Sequence, residues 1–114
     1  MKIIIDTNFF VSSAKFKVDI YEELKGNELY ITESVERELN ELAKKDKNAK
    51  LARAILKTKA LTMLKSKYKS ADRDLIEFGK EGYTIATQDK ELKTKLKSLK
   101  VKVLNIRQKK YVCD

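Results

Sequence analysis

The side chains best suited to chemistry in this sequence are four carboxylates from well-separated segments. They are Asp6, Glu38, Asp72 and Asp89. Asp6 directly follows the apolar run "III" at residues 3–5, and Asp89 lies two residues after the run "YTIAT" at 83–87. Carboxylates that converge raise each other's pKa, and a divalent cation relieves that repulsion. Because Mg²⁺ and Mn²⁺ prefer carboxylate oxygens and water, a converging set of this composition predicts a site for one of these ions.

Each of these acids also has an ordinary structural interpretation. Asp6, Asp72 and Asp89 stand where the N-cap of a helix prefers an aspartate, and Glu38 suits the solvated face of a helix. The metal interpretation rests on a shared position, because Asp6 and Asp89 both follow apolar runs typical of buried strands. A buried carboxylate without a partner is strongly unfavourable, so Asp6 needs one. The residues alone leave both interpretations open.

The composition excludes most other catalytic chemistries. The 114 residues include no histidine, which excludes a Ser-His-Asp or Cys-His relay, a histidine general base and a histidine zinc site. With only Gly26, Gly79 and Gly82 as glycines, neither a P-loop nor a dinucleotide-binding loop can be written. Cys113 is the single cysteine and predicts a free thiol. For an enzyme, carboxylates and a metal that they hold remain the main candidates.

The chain is strongly basic, with 26 lysine and arginine residues against 17 aspartate and glutamate residues, a net charge of +9 and a pI near 9.6. This balance favours nucleic acid as a partner over a lysine enrichment that serves solubility or high temperature. Lys90, Lys93 and Lys97 fall on one face of a predicted helix and can follow a phosphate backbone, or be simply solvated. Tyr68, in "KSKYKS", can stack on an unpaired base or pack within the protein.

Apolar periodicity predicts strands that alternate with helices along a single domain, residues 1–114. The predicted strands cover 2–5, 28–32, 60–65, 83–87 and 101–106. The predicted helices cover about 9–25 in one or two pieces, 32–45, 48–59, a segment from about 72, and 89–97. Short connections imply a three-layer α/β/α domain around a mostly parallel sheet of four to five strands. In such a sheet ligands bind beyond the carboxyl ends of the strands, where Asp6 and Asp89 are expected to meet.

The apolar runs are too short for a membrane span or a signal peptide. The first run stops at Asp6, and no later run approaches the about 18 to 20 residues that cross a bilayer. We therefore expect a cytoplasmic protein without membrane association.

Four motifs, in order along the chain, carry a specific resemblance. They are "IIIDTN" at 3–8, "TESVEREL" at 32–39, "SADRDLIEFGKEG" at 70–82 and "IATQDKEL" at 85–92. The sequence resembles the PIN domain family of small metal-dependent nucleases, and the resemblance covers the whole chain. Within the family it is most similar to the short ribosome-biogenesis branch of the small-subunit processome and its archaeal relatives. The VapC-type toxin ribonucleases are the related branch.

The resemblance implies a cofactor and a set of site residues. The four acids named above match the metal-binding acids of the family, and one or two Mg²⁺ or Mn²⁺ ions are expected between them. Three auxiliary residues are expected to orient the acids: Thr7, Asn8 and Thr87. Many relatives have two consecutive acids where this chain has Asp72-Arg73-Asp74. Asp72 aligns best with the metal ligand of the family and is the expected ligand. Asp74 is a further auxiliary candidate.

The function implied by the resemblance is endoribonuclease activity in rRNA processing, with precursor rRNA as substrate. The alternatives are a VapC-type toxin of a toxin-antitoxin pair and an inactive RNA-binding or assembly module. The implied partners are RNA, a second copy of the chain in a homodimer, and either an antitoxin or a ribosome-assembly protein. A phospho-acceptor receiver domain is disfavoured, because it needs an acidic pair after its first strand and "IIIDTN" supplies one acid.

Overall fold

The computed structural model describes all residues, 1–114, and contains one six-stranded sheet. Its strands are β1 (Lys2–Ile5), β2 (Glu28–Thr32), β3 (Thr62–Leu64), β4 (Thr84–Ala86), β5 (Val103–Arg107) and β6 (Tyr111–Cys113). Their order across the sheet is β3-β2-β1-β4-β5-β6, and all neighbours are parallel except β5 and β6. The predicted mostly parallel α/β sheet is confirmed, although it has six strands where four to five were expected.

The additional strand, β6, forms an antiparallel hairpin with β5 across residues 108–110. Gln108 and Lys109 have φ values of 55° and 58°. Hairpin turns commonly need such left-handed residues, and glycine or asparagine usually supplies them. Because "RQKKY" contains neither, the sequence carries no recognisable signal for this turn.

Six helices connect the strands. They are α1 (Thr7–Lys15), α2 (Ile20–Glu23), α3 (Glu33–Ala43), α4 (Lys47–Leu56), α5 (Ala71–Lys80) and α6 (Lys90–Ser98). The segment predicted as one or two helices at 9–25 is two, because the chain leaves helical geometry at Lys17, whose φ is 56°. Asp19 then caps α2 by accepting hydrogen bonds from the first turn of that helix. No helix of this chain has the length and apolar character needed to cross a membrane.

The central strand β1 separates two apolar cores. Ile3 and Ile5 face one core, which α1, α3 and α4 cover, whereas Ile4 faces the other, which α5 and α6 cover. All three isoleucines are completely buried, as expected for a parallel strand covered on both sides. The alternation of side chains along β1 therefore produces the three-layer α/β/α arrangement.

The register of the sheet brings the carboxyl ends of β1 and β4 side by side. Ile5 pairs with Ala86, and the backbone N–H of Asp6 donates to the carbonyl of Ala86 at 2.9 Å. The first residues beyond these two strands, Asp6 and Thr87, are therefore neighbours across the edge of the sheet.

Candidate active site

Asp6 lies at this carboxyl edge, 4% exposed, between β1 and α1. It is the N-cap of α1, and its Oδ1 accepts a hydrogen bond from the backbone N–H of Thr7 at 2.8 Å. The Thr87 hydroxyl donates to Oδ2 at 2.7 Å. Both carboxylate oxygens are thus oriented, and each keeps a further lone pair for another ligand.

Three influences determine the protonation of Asp6. Burial raises its pKa from 3.8 to about 6, against the opposing effect of the hydrogen bonds from Thr87 and Thr7. The negative charges of Glu38 and Asp72 raise the pKa further. Asp6 therefore lies close enough to two acids from distant segments to be affected by their charge.

Asp72 connects this group to the fourth acid. It lies in the first turn of α5, where Ser70 rather than Asp72 is the N-cap, so its carboxylate is not used for capping. Burial raises the pKa of Asp72, and the charges of Asp89 and Glu38 raise it further. Glu38 is exposed on α3, and Asp72 is exposed on α5. The four acids thus form one electrostatically coupled group drawn from four segments.

Asp89 serves as the N-cap of α6 and leaves part of its carboxylate free. Its Oδ1 accepts hydrogen bonds from the N–H groups of Glu91 at 2.9 Å and Leu92 at 3.1 Å, while Oδ2 makes none. The capping interpretation of the sequence therefore applies to Asp6 and Asp89. Since capping uses only some of the lone pairs, both residues can cap a helix and bind a cation.

The chemistry of these donors fits a hard divalent cation. All four are carboxylates, and the buried one, Asp6, has no cationic partner among its hydrogen bonds. As placed, however, no three acidic side chains stand in position to hold a metal ion. The acidic side chains would have to come closer together than they are here to complete a ligand set.

Two of the expected auxiliary residues, Thr87 and Asn8, form a small hydrogen-bonded network beside Asp6. The Thr87 hydroxyl lies 2.7 Å from Asp6 Oδ2 and 3.2 Å from Asn8 Oδ1, so its single proton is best placed for the carboxylate. Asn8 Oδ1 also accepts the backbone N–H of Gln88 at 2.9 Å. Thr7 Oγ1 is buried without a hydrogen-bond partner. Thr87 and Asn8 therefore orient the start of both helices that follow the central strands.

Gln88 belongs to this edge but is absent from the sequence-based set of candidates. Its Nε2 donates to the carbonyl of Ile106 at 3.2 Å, and its Oε1 accepts the Ile106 N–H at 2.6 Å. The side chain thereby continues the pairing of β4 with β5 by one position. Its partner is backbone 18 positions away, so a motif search has no signal for it.

Asp74 lies in a separate hydrogen-bonded cluster. It is completely buried, accepts the backbone N–H groups of Lys67 and Tyr68 at 2.9 Å each, and accepts the Ser34 hydroxyl at 2.8 Å. Burial acts to raise its pKa, but the nearby Ser66 hydroxyl and the hydrogen bonds from Ser34 and the two backbone groups outweigh it and lower the pKa overall. Asp74 is not among the charges that shift Asp6 or Asp72.

The predicted basic face of α6 lies next to Asp89. Lys93 is half-buried, and its pKa is lowered by burial and by the positive charges of Lys97, Lys90 and Arg107, while Asp89 opposes the shift. Arg107, on β5, is a member of this basic cluster that spacing on the helix could not reveal. Lys93 therefore connects a cluster of four cations to one of the acids, in a position to neutralise phosphates.

Tyr68 is half-buried beside α5, and one face of its ring is covered. The guanidinium carbon of Arg73 lies 4.3 Å from the ring centroid. This stacking leaves at most the opposite face of Tyr68 for a base.

The acidic group lies outside the main cavities of the protein. One cavity, about 300 Å³, lies between α1, α2 and α4 and contains Phe10, Val18 and Ile55 in its lining. None of the three main cavities is lined by any of the four acids. An open edge suits a polymeric substrate better than a small molecule, which needs an enclosing pocket.

Comparisons with known proteins agree with this architecture. A family model for the PIN-like domain matches residues 3–109. Ribonuclease VapC4 of Methanocaldococcus jannaschii is 35% identical over 124 residues, covering 96% of this chain and 93% of that protein. The solved PIN domain endonuclease Utp24 has a TM-score of 0.84 and 25% identity, covering 97% of this chain and 88% of its own.

A second solved structure shares the fold at lower identity. A PilT N-terminus domain protein from Sulfolobus solfataricus P2 has a TM-score of 0.66 and 17% identity, covering 96% of this chain and 90% of its own. The family model covers almost the whole sequence and includes all four motifs that suggested the resemblance. The chain therefore belongs to the family of PIN-like domains.

Proposed function

We propose that this chain, as a single nuclease domain in the cytoplasm, is a Mg²⁺- or Mn²⁺-dependent endoribonuclease. One observation carries the proposal: Asp6 is a buried carboxylate at the carboxyl edge of the sheet, oriented by Thr87 and Thr7 without a cationic partner, and acids from distant segments lie near enough to affect it. Two relatives support the activity, since one is named a ribonuclease and the other a PIN domain endonuclease. One or two ions would be held by Asp6, Glu38, Asp72 and Asp89.

The residues of the chain prepare this site for phosphodiester hydrolysis. When bound, a divalent cation makes water more acidic and stabilises negative charge on phosphoryl oxygens. Thr87 and the Thr7 N–H hold Asp6 in one orientation at the rigid edge of the sheet. The exposed Glu38 and Asp72 are free to adjust around the phosphate. A chain without histidine needs no protein general base in this scheme.

The basic cluster supplies the substrate side of the proposal. Lys90, Lys97 and Arg107 lie near Lys93, which also feels the charge of Asp89, so a phosphate backbone lying along α6 would lead toward the acids. Tyr68, stacked on Arg73, would contact a base through its remaining face.

We propose precursor rRNA as the substrate and ribosome-assembly proteins as partners, on the motifs that resemble the ribosome-biogenesis branch. One observation favours a second candidate, a VapC-type toxin with an antitoxin partner. That observation is the 35% identity to a protein named VapC4 over nearly the full length of both chains. Self-association as a homodimer is part of either proposal.

The decisive experiment incubates the purified protein with Mn²⁺ and either precursor rRNA or total RNA. Wild type is expected to cleave, and Asp6→Asn and Asp89→Asn are expected to lose cleavage. Asp19→Asn is the matched control, because Asp19 caps α2 and is not among the main influences on the pKa of Asp6 or Asp72. Identical products from wild type and Asp6→Asn would contradict the proposal. Growth arrest on expression, relieved by the product of an adjacent gene, would favour the toxin.

A further inference from the structure

Asp74 accepts three hydrogen bonds that connect two helices and a loop. The loop, residues 65–70, joins β3 to α5. Oδ1 of Asp74 accepts two backbone N–H groups of this loop, from Lys67 and Tyr68, and Oδ2 accepts the hydroxyl of Ser34 at the start of α3. Because the carboxylate is ionised and a strong acceptor, it is the favoured partner for the single proton of Ser34.

The same loop is bound to α3 by further hydrogen bonds. The Ser34 N–H donates to Ser66 Oγ at 2.8 Å, and the Ser66 N–H donates to Oε1 of Glu33 at 2.8 Å. Ser34 Oγ also lies 3.1 Å from the carbonyl of Tyr68. The N-terminus of α3, the loop and the first turn of α5 therefore form one polar cluster centred on Ser34 and Asp74.

This cluster joins helices that pack mainly against opposite faces of the sheet, with only Ala71 at the start of α5 in contact with the core of α3. Val35 and Leu39 of α3 lie in the core on one face of the sheet, whereas Leu75 and Phe78 of α5 lie in the core on the other face. The two helices meet near the edge of the sheet, where the polar cluster bridges them. Because shared apolar packing is limited to Ala71, the hydrogen bonds of the cluster are the main polar connection between the two helices.

Each helix carries one of the acids of the candidate site. Glu38 is four residues after Ser34 and lies on the same side of α3, one turn further along. Asp72 and Asp74 share the first turn of α5. The bond between Ser34 and Asp74 therefore sets how far apart the backbones that carry Glu38 and Asp72 are held.

We propose that Asp74, through Ser34, is a positioning residue that holds Glu38 and Asp72 at the separation a shared cation requires. It acts through these residues, since both of its oxygens are occupied by the loop and α3. The catalytic consequence of this inference rests on the proposed function. Its geometric content, the alignment of α3 with α5, can be measured without metal or RNA.

The first experiment measures that alignment in the metal-free protein. Spin labels are placed at exposed positions on the two helices, with Glu36→Cys on α3 and Lys80→Cys on α5, in a Cys113→Ser background. Pulsed electron spin resonance is expected to give a narrow distance distribution in the parent. Asp74→Ala and Ser34→Ala are expected to broaden it. An unchanged distribution in both folded variants would overturn the inference.

The second experiment measures Mn²⁺ affinity by calorimetry, together with kcat and KM for RNA cleavage. Asp74→Ala and Ser34→Ala are expected to weaken Mn²⁺ binding about tenfold and lower kcat, with KM for RNA unchanged, as removal of an orienting partner does. Asp74→Asn is expected to recover most of the affinity. Its amide oxygen still accepts both loop N–H groups, and its NH₂ group can donate to Ser34.

Asp46→Ala is the matched control for both experiments. Asp46 also accepts two backbone N–H groups, at 2.8 and 3.1 Å, but at the start of α4. It is expected to reduce stability without changing the label distance, the Mn²⁺ affinity or kcat. If Asp74→Ala does not fold, Ser34→Ala decides the outcome. Wild type that does not cleave RNA contradicts the proposed function, whereas cleaving wild type with unaffected Ser34→Ala overturns only the role of Asp74.

Discussion

The hydroxyl of Thr87 donates a 2.7 Å hydrogen bond to Oδ2 of Asp6, although the two residues lie 81 positions apart in the sequence. The bond exists because β1 and β4 are adjacent and parallel, with Ile5 opposite Ala86. The next residue on each strand therefore reaches the same edge. Through this bond, the end of one strand controls the orientation and the acidity of the carboxylate at the end of the other.

Thr87→Val is expected to lower kcat about tenfold near neutral pH. Valine matches the shape of threonine but cannot donate, so the pKa of Asp6 should rise and the acidic limb of the pH–rate profile should move to higher pH. Thr87→Ser should retain most activity. Thr84→Val, on the same strand, is the control. A profile identical to wild type would show that the hydroxyl does not influence Asp6.

Asp6→Asn is expected to change how the stability of the metal-free protein depends on pH. The folded pKa of Asp6 is about 6, against 3.8 for the unfolded chain. Between these values the folded state binds the proton more tightly, so rising pH removes stability from wild type but not from the variant. The free energy of unfolding of the variant, relative to that of wild type, should therefore increase by roughly 3 kcal/mol at most between pH 4 and pH 7.

Denaturant titrations of both proteins at pH 4, 5, 6 and 7, with EDTA present, measure this difference. Subtracting wild type from variant at each pH cancels the titrating groups that do not interact with Asp6, and leaves Asp6 together with its coupling to Glu38 and Asp72. A difference that stays constant from pH 4 to pH 7 would contradict a raised pKa for Asp6.

Asp89→Asn is expected to separate the capping role of Asp89 from metal binding. Asparagine caps helices about as well as aspartate, so the variant should unfold at nearly the same denaturant concentration as wild type. Without a carboxylate, however, it should lose most of the Mn²⁺-induced increase in melting temperature. The measurement is thermal unfolding with and without Mn²⁺ at pH 7. Full retention of the Mn²⁺ effect would exclude Asp89 as a ligand.

Lys93→Gln and Lys97→Gln are expected to weaken RNA binding and reduce its salt dependence. Removing one ion pair between a lysine and a phosphate should lower the slope of log K against log salt by about 1. Lys50→Gln is the control, since Lys50 is exposed on α4. Fluorescence anisotropy with a labelled RNA, in EDTA and over a range of salt concentrations, gives the slopes. Equal slopes for Lys50→Gln and Lys93→Gln would indicate that the α6 face makes no specific contribution.

The apolar pattern predicts an element when its side chains alternate between core and solvent. It also predicts a strand whose side chains are buried on both sides. The run at 3–5 and the run "YTIAT" both predict buried strands, and both are central in the sheet. The sequence pattern did not predict β6, because the turn before it has Gln108 and Lys109, rather than glycine, in left-handed geometry. Local pattern cannot reveal such a turn when tertiary pairing, rather than glycine, stabilises it.

Asp72 and Asp74 show the limit of the same reasoning at the site. Two positions apart on one helix, they have the same side chain and similar neighbours in the sequence. The structure exposes Asp72 beside Glu38 and Asp89 but buries Asp74 against Ser34 and the loop. Which aspartate meets which partner follows from the rotation of α5 against the sheet, and a one-dimensional pattern does not contain that rotation.

The sequence by itself determined the alternation of strands and helices as far as β5, the four candidate acids and the basic charge of the C-terminal part. These properties depend on side-chain type and local spacing, so they can be read along the chain. Only the tertiary structure decided that Thr87 binds Asp6, that Gln88 continues a strand pair and that Asp74 joins α3 to α5. Each of these bonds depends on the register and rotation of elements far apart in sequence, which packing of the whole chain sets.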